Sequence, residues 1–122
     1  MPPRPPRARR PEELLPLTPA VLHILLALAA GERHGYAIAQ DVDALAGGDV
    51  RMGPGTLYGS LQRMLAAALV DEAPAGGADD GARRYYRITA FGRQVLEREL
   101  ARLDRVVAHA RVRRLLPRAE ST

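Results

Sequence analysis

The 122-residue sequence contains no cysteine, tryptophan or lysine, and aromatic residues make up only 4% of it. Without cysteine, disulfide scaffolds, thiolate zinc sites and cysteine nucleophiles are excluded. No apolar run approaches the roughly 18 residues that can span a bilayer, because the best candidate, residues 21–30, is interrupted by His23. Length and composition predict a single cytoplasmic domain that does not interact with a membrane.

The sequence also lacks the motifs of common enzymes. Its three histidines, His23, His34 and His109, do not have the spacing of metal ligands. No dinucleotide-binding glycine motif, P-loop or nucleophile elbow is present. We therefore expect a protein that is not an enzyme and that uses no metal and no cofactor.

All 18 basic residues are arginine, and the 14 acidic residues leave a formal net charge of +4. This excess lies entirely in residues 1–11, which hold four arginines, five prolines and no acid. Basic composition alone therefore does not identify a nucleic-acid partner. Residues 1–16 are predicted to form a flexible Arg/Pro-rich arm, which either stays solvated or follows DNA phosphates.

Apolar residues at helical spacing predict three helices in the first part of the chain, over residues 19–30, 35–45 and 55–68. Thr18 is a favourable N-cap for the first helix, and Pro19 and Pro54 stand where the first and third helices begin. Residues 31–35 are expected to form a tight turn. This order of short helices resembles a helix-turn-helix in outline.

Strand-forming residues follow at 69–73 and 83–89, separated by a turn-rich segment, and a hairpin directly after the third helix is typical of a winged helix. Thr89 can cap a long final helix over residues 90–116. The predicted fold is mainly α with a small β-hairpin: a winged helix-turn-helix with a long C-terminal dimerisation helix. The predicted units are the arm at residues 1–16, a DNA-binding domain at 17–89, the dimerisation helix at 90–116 and a tail at 117–122.

The predicted third helix has two distinct faces. One sector is apolar and is expected to face the core; it holds Leu57, Leu61, Met64 and Ala68. Thr56, Gly59 and Arg63 lie on the opposite side, with Tyr58 beside them. This side is either a DNA-contacting surface, on which Arg63 pairs with guanine or phosphate, or an ordinary solvated face.

The second predicted strand also has two faces. Alternation directs Tyr86 and Ile88 to the core, and Arg83 and Arg84 lie at the hairpin edge. These arginines can enter a minor groove, or they can instead pair with the aspartates of the turn.

The final helix carries apolar residues spaced 4-3-4-3, namely Leu96, Leu100, Leu103, Val107 and Ala110. A small domain covers part of such a stripe but not its far end, so these residues are predicted to form a two-fold homodimer interface. Burying them contributes ~2.5 kcal/mol per hundred square ångströms before association costs. The alternative is a helix packed within one subunit.

Four sequence phrases together resemble the PadR family of bacterial transcriptional regulators: ILLAL at 24–28, HGYAI at 34–38, PGTLY at 54–58 and RRYYRIT at 83–89. The resemblance covers about residues 17–110. It implies a winged helix-turn-helix that dimerises through its C-terminal helix, binds operator DNA and usually represses transcription. It also implies that Thr56 and Tyr58 lie on the recognition helix and that Tyr36 lies near the DNA backbone, unless Tyr36 is a core residue.

The chain resembles the short subfamily, in which some members bind flat aromatic drugs through a tryptophan between the dimer helices. This sequence has Leu103 at the comparable position and contains no tryptophan. The resemblance therefore does not imply an aromatic drug as the ligand, and the expected effector is a small apolar molecule. The alternatives to DNA binding are a winged-helix adaptor for protein interaction and a ligand-sequestering dimer. The residues predicted to contact operator DNA are Tyr36, Thr56, Tyr58, Gly59, Ser60, Arg63, Arg83 and Arg84.

Overall fold

The computed structural model describes residues 9–73 and 84–117. The described residues form four α-helices: α1 (Pro19–Ala29), α2 (Gly35–Ala46), α3 (Pro54–Ala66) and α4 (Ala90–Val112). They also form three short strands: β1 (Arg33–His34), β2 (Val70–Ala73) and β3 (Tyr85–Ile88). A 3-10 helix at Pro11–Leu14 precedes α1. The predicted mainly α fold with a hairpin after the third helix is confirmed.

Three of the four α-helices begin at a residue whose side chain accepts a backbone N–H. The Thr18 hydroxyl accepts from the Val21 N–H at 3.3 Å, and the Thr89 hydroxyl accepts from the Gly92 N–H at 2.9 Å. Both predicted caps are therefore confirmed. His34 caps α2 through Nδ1, which lies 3.2 Å from the Ala37 nitrogen.

The sheet has three antiparallel strands in the order β1-β3-β2. Val70 faces Ile88 in the β2-β3 pair, and His34 faces Tyr85 in the β1-β3 pair. The prediction that residues 31–35 form only a tight turn is therefore wrong, because β1 lies within them. A two-residue strand is too short to show the alternation that marks a strand in sequence.

The core lies between α1, α2, α3, the sheet and the first half of α4. Its buried cluster consists of Ile24, Leu25, Leu28, Ile38, Val42, Leu57, Leu61, Met64, Leu69, Val70, Tyr86, Val95 and Leu96. Ala68 was predicted to join this core but is exposed. It lies beyond the end of α3 in a left-handed conformation, with φ of 60°, so helical periodicity no longer applies to it.

The first turn of α4 lies directly on the junction between α3 and β2. The Thr89 hydroxyl donates to the Ala68 carbonyl at 2.7 Å and to the Leu69 carbonyl at 3.1 Å. A Cβ added at Gly92 would overlap the Leu69 carbonyl oxygen. These contacts fix α4 relative to the end of α3.

The N-terminal segment, defined here as residues 10–17, packs along α4 rather than extending into solvent. Glu12 Oε1 lies 2.5 Å from Arg98 Nη1, and the Leu17 N–H donates to Glu99 Oε2 at 2.6 Å. The 3-10 helix within this segment differs from the predicted flexible arm over residues 1–16. Residues 1–8 of that arm lie outside the described residues.

At its other end, α4 is shorter than predicted, because it ends at Val112 and not at residue 116. Arg114 adopts a left-handed conformation, with φ of 62°. The Leu115 N–H donates a hydrogen bond to the Ala110 carbonyl at 2.8 Å. This backbone reversal terminates the helix. Within the described residues, no helix combines the length and the apolar character needed to cross a membrane.

Candidate nucleic-acid interface

The outer face of α3 carries the residues that the sequence places there. Thr56 and Arg63 are exposed, Tyr58 is 49% exposed and Gly59 is partly buried. On the opposite side, the core residues of α3 are 3% exposed or less; they are Leu57, Leu61 and Met64. The helix is therefore held by one face while a polar face is open to solvent.

Ser60 requires a correction, because it was predicted to contact DNA but is fully buried. It lies one turn from Leu57 and one turn from Met64, so the helical repeat places it inside the apolar sector. Its hydroxyl accepts a hydrogen bond from Arg63 Nη2 at 3.3 Å. The side chain of Ser60 thus touches the outer face through Arg63 and not directly.

Tyr58 connects α3 to the start of α2. A Cβ built on the buried Gly35 would lie 2.7 Å from the Tyr58 hydroxyl oxygen, so the phenol ring occupies the space beside this glycine. The neighbouring Tyr36 is 68% exposed, which rules out the alternative that it is a core residue. Tyr36 is thus a surface residue at the start of α2, next in sequence to the glycine that Tyr58 contacts.

The beginning of α3 has a second polar feature. Gly53 is the N-cap and offers no side-chain acceptor, and the first turn contains no acidic residue. The space beside Gly55 is open among residues 9–73 and 84–117, since outside its own helical turn none of their atoms lies within 4 Å of a Cβ built there. The N–H groups of such a turn, together with the helix dipole, favour an anion.

The hairpin places two arginines in cross-strand ion pairs. Arg84 Nη1 lies 3.4 Å from Glu72 Oε1, and Arg87 Nε lies 3.9 Å from Asp71 Oδ2. All four side chains are about half exposed or more, and such surface pairs contribute only ~0–1 kcal/mol. Exchange of the Glu72 carboxylate for another anion would therefore cost little, while the hydrogen bond between Arg84 and the Tyr86 hydroxyl could be kept. Arg83, and the aspartates proposed as its partners, lie outside the described residues.

The other face of β3 packs inward, as predicted. Tyr86 is 1% exposed and belongs to the core, while Ile88 is partly buried against it. Burial raises the pKa of Tyr86 above its ordinary value, and the nearby Glu72 carboxylate adds to this effect. The hairpin is thus anchored by its apolar side and presents its arginines to solvent.

The predicted dimer interface divides into two parts on α4. Leu96 is only 4% exposed and packs in the core of its own subunit, so its assignment to the interface is corrected. Leu100 is 40% exposed, and the remaining predicted positions, which are partly buried, are Leu103, Val107 and Ala110. These four residues are called the apolar seam below.

The structure also contains a buried carboxylate on α4 that was not among the predicted site residues. Glu99 is 1% exposed; it accepts hydrogen bonds from Arg102 Nε at 2.5 Å and from the Leu17 N–H at 2.6 Å. The Arg102 hydrogen bond holds the pKa of Glu99 below its ordinary value, and the Leu17 N–H acts in the same direction, although burial opposes them. The available signal was its position between Leu96 and Leu103, one turn from each, within the apolar stripe.

Comparison with known proteins identifies similar chains. The model of the Transcriptional regulator PadR-like family matches residues 22–98. An uncharacterized 37.1 kDa protein of transposon TN4556 from Streptomyces fradiae is 39% identical over 87 residues, covering 71% of this chain. The matched region spans only 24% of that relative's length.

Solved structures are similar in fold. A PadR family transcription regulator from Clostridium difficile R20291 has a TM-score of 0.65 at 23% identity, covering 77% of this chain and 96% of that one. Bacillus subtilis PadR, in complex with operator DNA, has a TM-score of 0.60 at 21% identity, covering 70% of this chain and 47% of that one. At these identities, the likeness establishes the fold.

Proposed function

This chain belongs to the PadR-like family of transcriptional regulators, and from that premise we propose that it represses transcription by binding operator DNA as a homodimer. The expectation that it is a regulator and not an enzyme is confirmed by the family. The single observation that carries DNA binding is the outer face of α3. Thr56, Tyr58 and Arg63 are exposed there, while the opposite face is locked into the core.

A helix held in this way suits the major groove of B-DNA, which admits one α-helix and displays a distinct set of donors and acceptors for each base pair. The Arg63 guanidinium can donate two hydrogen bonds to a guanine, and the Thr56 hydroxyl can bond to a base or a phosphate. Gly59, in the same row, offers no side chain that would keep DNA at a distance.

Phosphate contacts would fix the register of α3 along the groove. The open first turn of α3 at Gly55 can donate N–H groups to a phosphate oxygen. Tyr36, exposed at the start of α2, has a hydroxyl that can donate to another phosphate of the DNA backbone. Arg84 supports the same proposal from the hairpin, where its weak pair with Glu72 can be replaced by a phosphate.

The apolar seam supports a homodimer. Leu100 of the seam is 40% exposed, and Val106, the sequence neighbour of Val107, is 54% exposed. Exposed apolar side chains clustered along one helix indicate a protein interface. A two-fold dimer through α4 would present two copies of α3 to one side of a duplex. We therefore expect an inverted-repeat operator with half-sites about 34 Å apart, or a multiple of that spacing.

We also propose that a small apolar effector releases the DNA. An apolar recess of about 190 Å³ lies between the N-terminal segment and α3. Its lining includes Leu14, Val21, Ala67 and also Arg63. A ligand in this recess would therefore touch the arginine proposed to face DNA. A thermal-shift screen of small apolar compounds tests this, because a true effector must raise the melting temperature and lower the affinity for DNA.

Selection of bound fragments from genomic DNA, followed by fluorescence anisotropy, tests the main proposal. The recovered duplex should bind at least ~10³-fold more tightly than a scrambled duplex of equal length. Its affinity should fall steeply with salt, because phosphate contacts release counterions. Equal affinity for both duplexes would contradict sequence-specific binding, and a flat salt profile would contradict the phosphate contacts.

A further inference from the structure

The side chain of Ser60 is polar but lies entirely within the apolar sector of α3. It is 0% exposed and stands one turn from Leu57 and one turn from Met64, both core residues. A buried hydroxyl without a hydrogen bond destabilises a protein, so buried hydroxyls almost always have a partner. The partner here is the guanidinium of Arg63, whose Nη2 lies 3.3 Å from the Ser60 oxygen.

This hydrogen bond determines where the Arg63 guanidinium lies. The side chain folds back along α3, and its Nη1 passes 3.6 Å from a Cβ built on Gly59. Gly59 thus leaves room for the guanidinium, and Ser60 holds it from the core side. An unrestrained surface arginine would occupy many rotamers and would lose that freedom on binding.

We propose that Ser60 is a positioning residue, whose buried hydroxyl holds the Arg63 guanidinium in the orientation that contacts a base edge. The inference rests on the proposed function, because it requires α3 to enter the major groove. Ser60 does not itself touch DNA. It uses one of the five N–H donors of the guanidinium, which leaves the others for a guanine.

Such a residue should affect specificity more than overall affinity. The positive charge of Arg63 is present in every rotamer, so the attraction to phosphates does not depend on Ser60. A bidentate contact to guanine does depend on orientation, because both donors must meet both acceptors. Loss of the Ser60 hydroxyl should therefore weaken discrimination between base pairs while binding to unrelated DNA is unchanged.

The experiment uses the full chain and four variants: S60A, S60C, R63A and the double variant S60A/R63A. Alanine nearly matches the volume of serine but removes the γ atom, whereas cysteine keeps a γ atom that is larger and only a weak acceptor. S60A and S60C therefore change the packing in opposite directions while both lose the hydroxyl. A duplex selected by the wild-type protein is measured by anisotropy, together with duplexes that change each base pair in turn and one unrelated duplex. Melting temperatures are measured for all proteins.

We expect R63A to lose the preference at one or two base pairs, and S60A to weaken the preference at those same pairs by about 3- to 10-fold. S60C should behave like S60A in specificity with a melting temperature near that of the wild type. The double variant should match R63A, because no guanidinium remains to be positioned. Affinity for the unrelated duplex should be the same for S60A, S60C and the wild type.

Three results would overturn the inference. If S60A and S60C keep the wild-type preferences that R63A loses, Ser60 only fills the core and the proposed function stands. If R63A keeps every preference, Arg63 contacts no base and has nothing to be positioned for, although DNA binding by other residues survives. If the wild-type protein binds its selected duplex no better than unrelated DNA, the proposed function itself fails. Should S60A fold poorly, S60C carries the comparison.

Discussion

The phenol of Tyr58 lies against Gly35, and a Cβ on that glycine would come within 2.7 Å of the phenol oxygen and 3.1 Å of Cζ. Gly35 is buried at the first position of α2, while Tyr58 is on the outer face of α3. The absence of a side chain at Gly35 therefore sets the position of a tyrosine proposed to lie beside DNA.

Substitution of Gly35 by alanine should displace the Tyr58 ring. The added methyl group should destabilise the protein by about 1–3 kcal/mol, the usual range for overpacking, and should also weaken DNA binding. Chemical denaturation and anisotropy measure the two effects. In the Y58A background, the same G35A change should cost almost no stability, because the obstructing ring is gone. An equal cost in both backgrounds would contradict the contact.

Substitution of Gly92 by alanine should be more damaging. The new Cβ would overlap the Leu69 carbonyl oxygen, which is backbone and cannot rotate away. We expect a loss of about 4 kcal/mol or more, in the range that marks exceptional mutations, measured by denaturation followed by circular dichroism. G55A is the matched control, because no other part of the described structure comes within 4 Å of a Cβ built at that position. If G92A melts at the temperature of G55A, α4 does not lie against the α3-β2 junction in this way.

The order of helices and the hairpin could be predicted because each follows a repeating pattern with clear ends, such as Thr18 before α1 and Thr89 before α4. β1 could not, because two residues show no period and its pairing with β3 depends on the tertiary fold. The same holds for the N-terminal segment. Its bond from Leu17 to Glu99 joins residues 82 positions apart, which no local pattern reveals.

The exposed residues of the candidate site could be predicted from the sequence, but the buried residue that contacts them could not. Thr56, Tyr58 and Arg63 were placed correctly by helical geometry, whereas Ser60 was grouped with them for its polarity although the same geometry places it inside. Leu96 illustrates another limit. An apolar stripe does not show where packing within a subunit ends and exposed surface begins, and the structure places that boundary between Leu96 and Leu100.

The buried carboxylate of Glu99 should make the free energy of unfolding depend on pH in the acidic range. Because its pKa is lower in the folded protein than its ordinary value of 4.5, the unfolded chain takes up the proton more readily. The stabilisation is therefore present above pH 4.5 and is lost as the pH falls through the lower, folded pKa. Urea denaturation from pH 7 to pH 3 should show this loss in the wild type.

The variant E99Q isolates the contribution of this group. It should be less stable than the wild type at pH 7, by about 1–3 kcal/mol, because Arg102 loses a charged acceptor within a buried site. Its further loss of stability in acid should be smaller than that of the wild type. E97Q is the control, since Glu97 is exposed on the same helix. If E99Q and E97Q follow the same pH curve, the Glu99 carboxylate is not responsible.

The apolar seam offers the sharpest test of the proposed dimer. In L103R, an arginine replaces a partly buried leucine at the middle of the seam, and two such charges would meet across a two-fold interface without a partner. Sedimentation should show the wild type as a dimer and L103R as a monomer at micromolar concentration. Because a monomer presents one copy of α3, L103R should also lose at least ~10-fold in operator affinity while keeping its helical circular dichroism.

A101R is the matched control for this variant, because Ala101 is exposed on α4 and lies outside the 4-3-4-3 stripe. It adds the same charge to the same helix and should remain dimeric with operator affinity no weaker than that of the wild type. If both variants stay dimeric, the subunits associate through another surface, and the half-site spacing expected from α4 no longer follows. If the wild type itself sediments as a monomer, each operator half-site must be bound independently, and affinity should not depend on the distance between the half-sites.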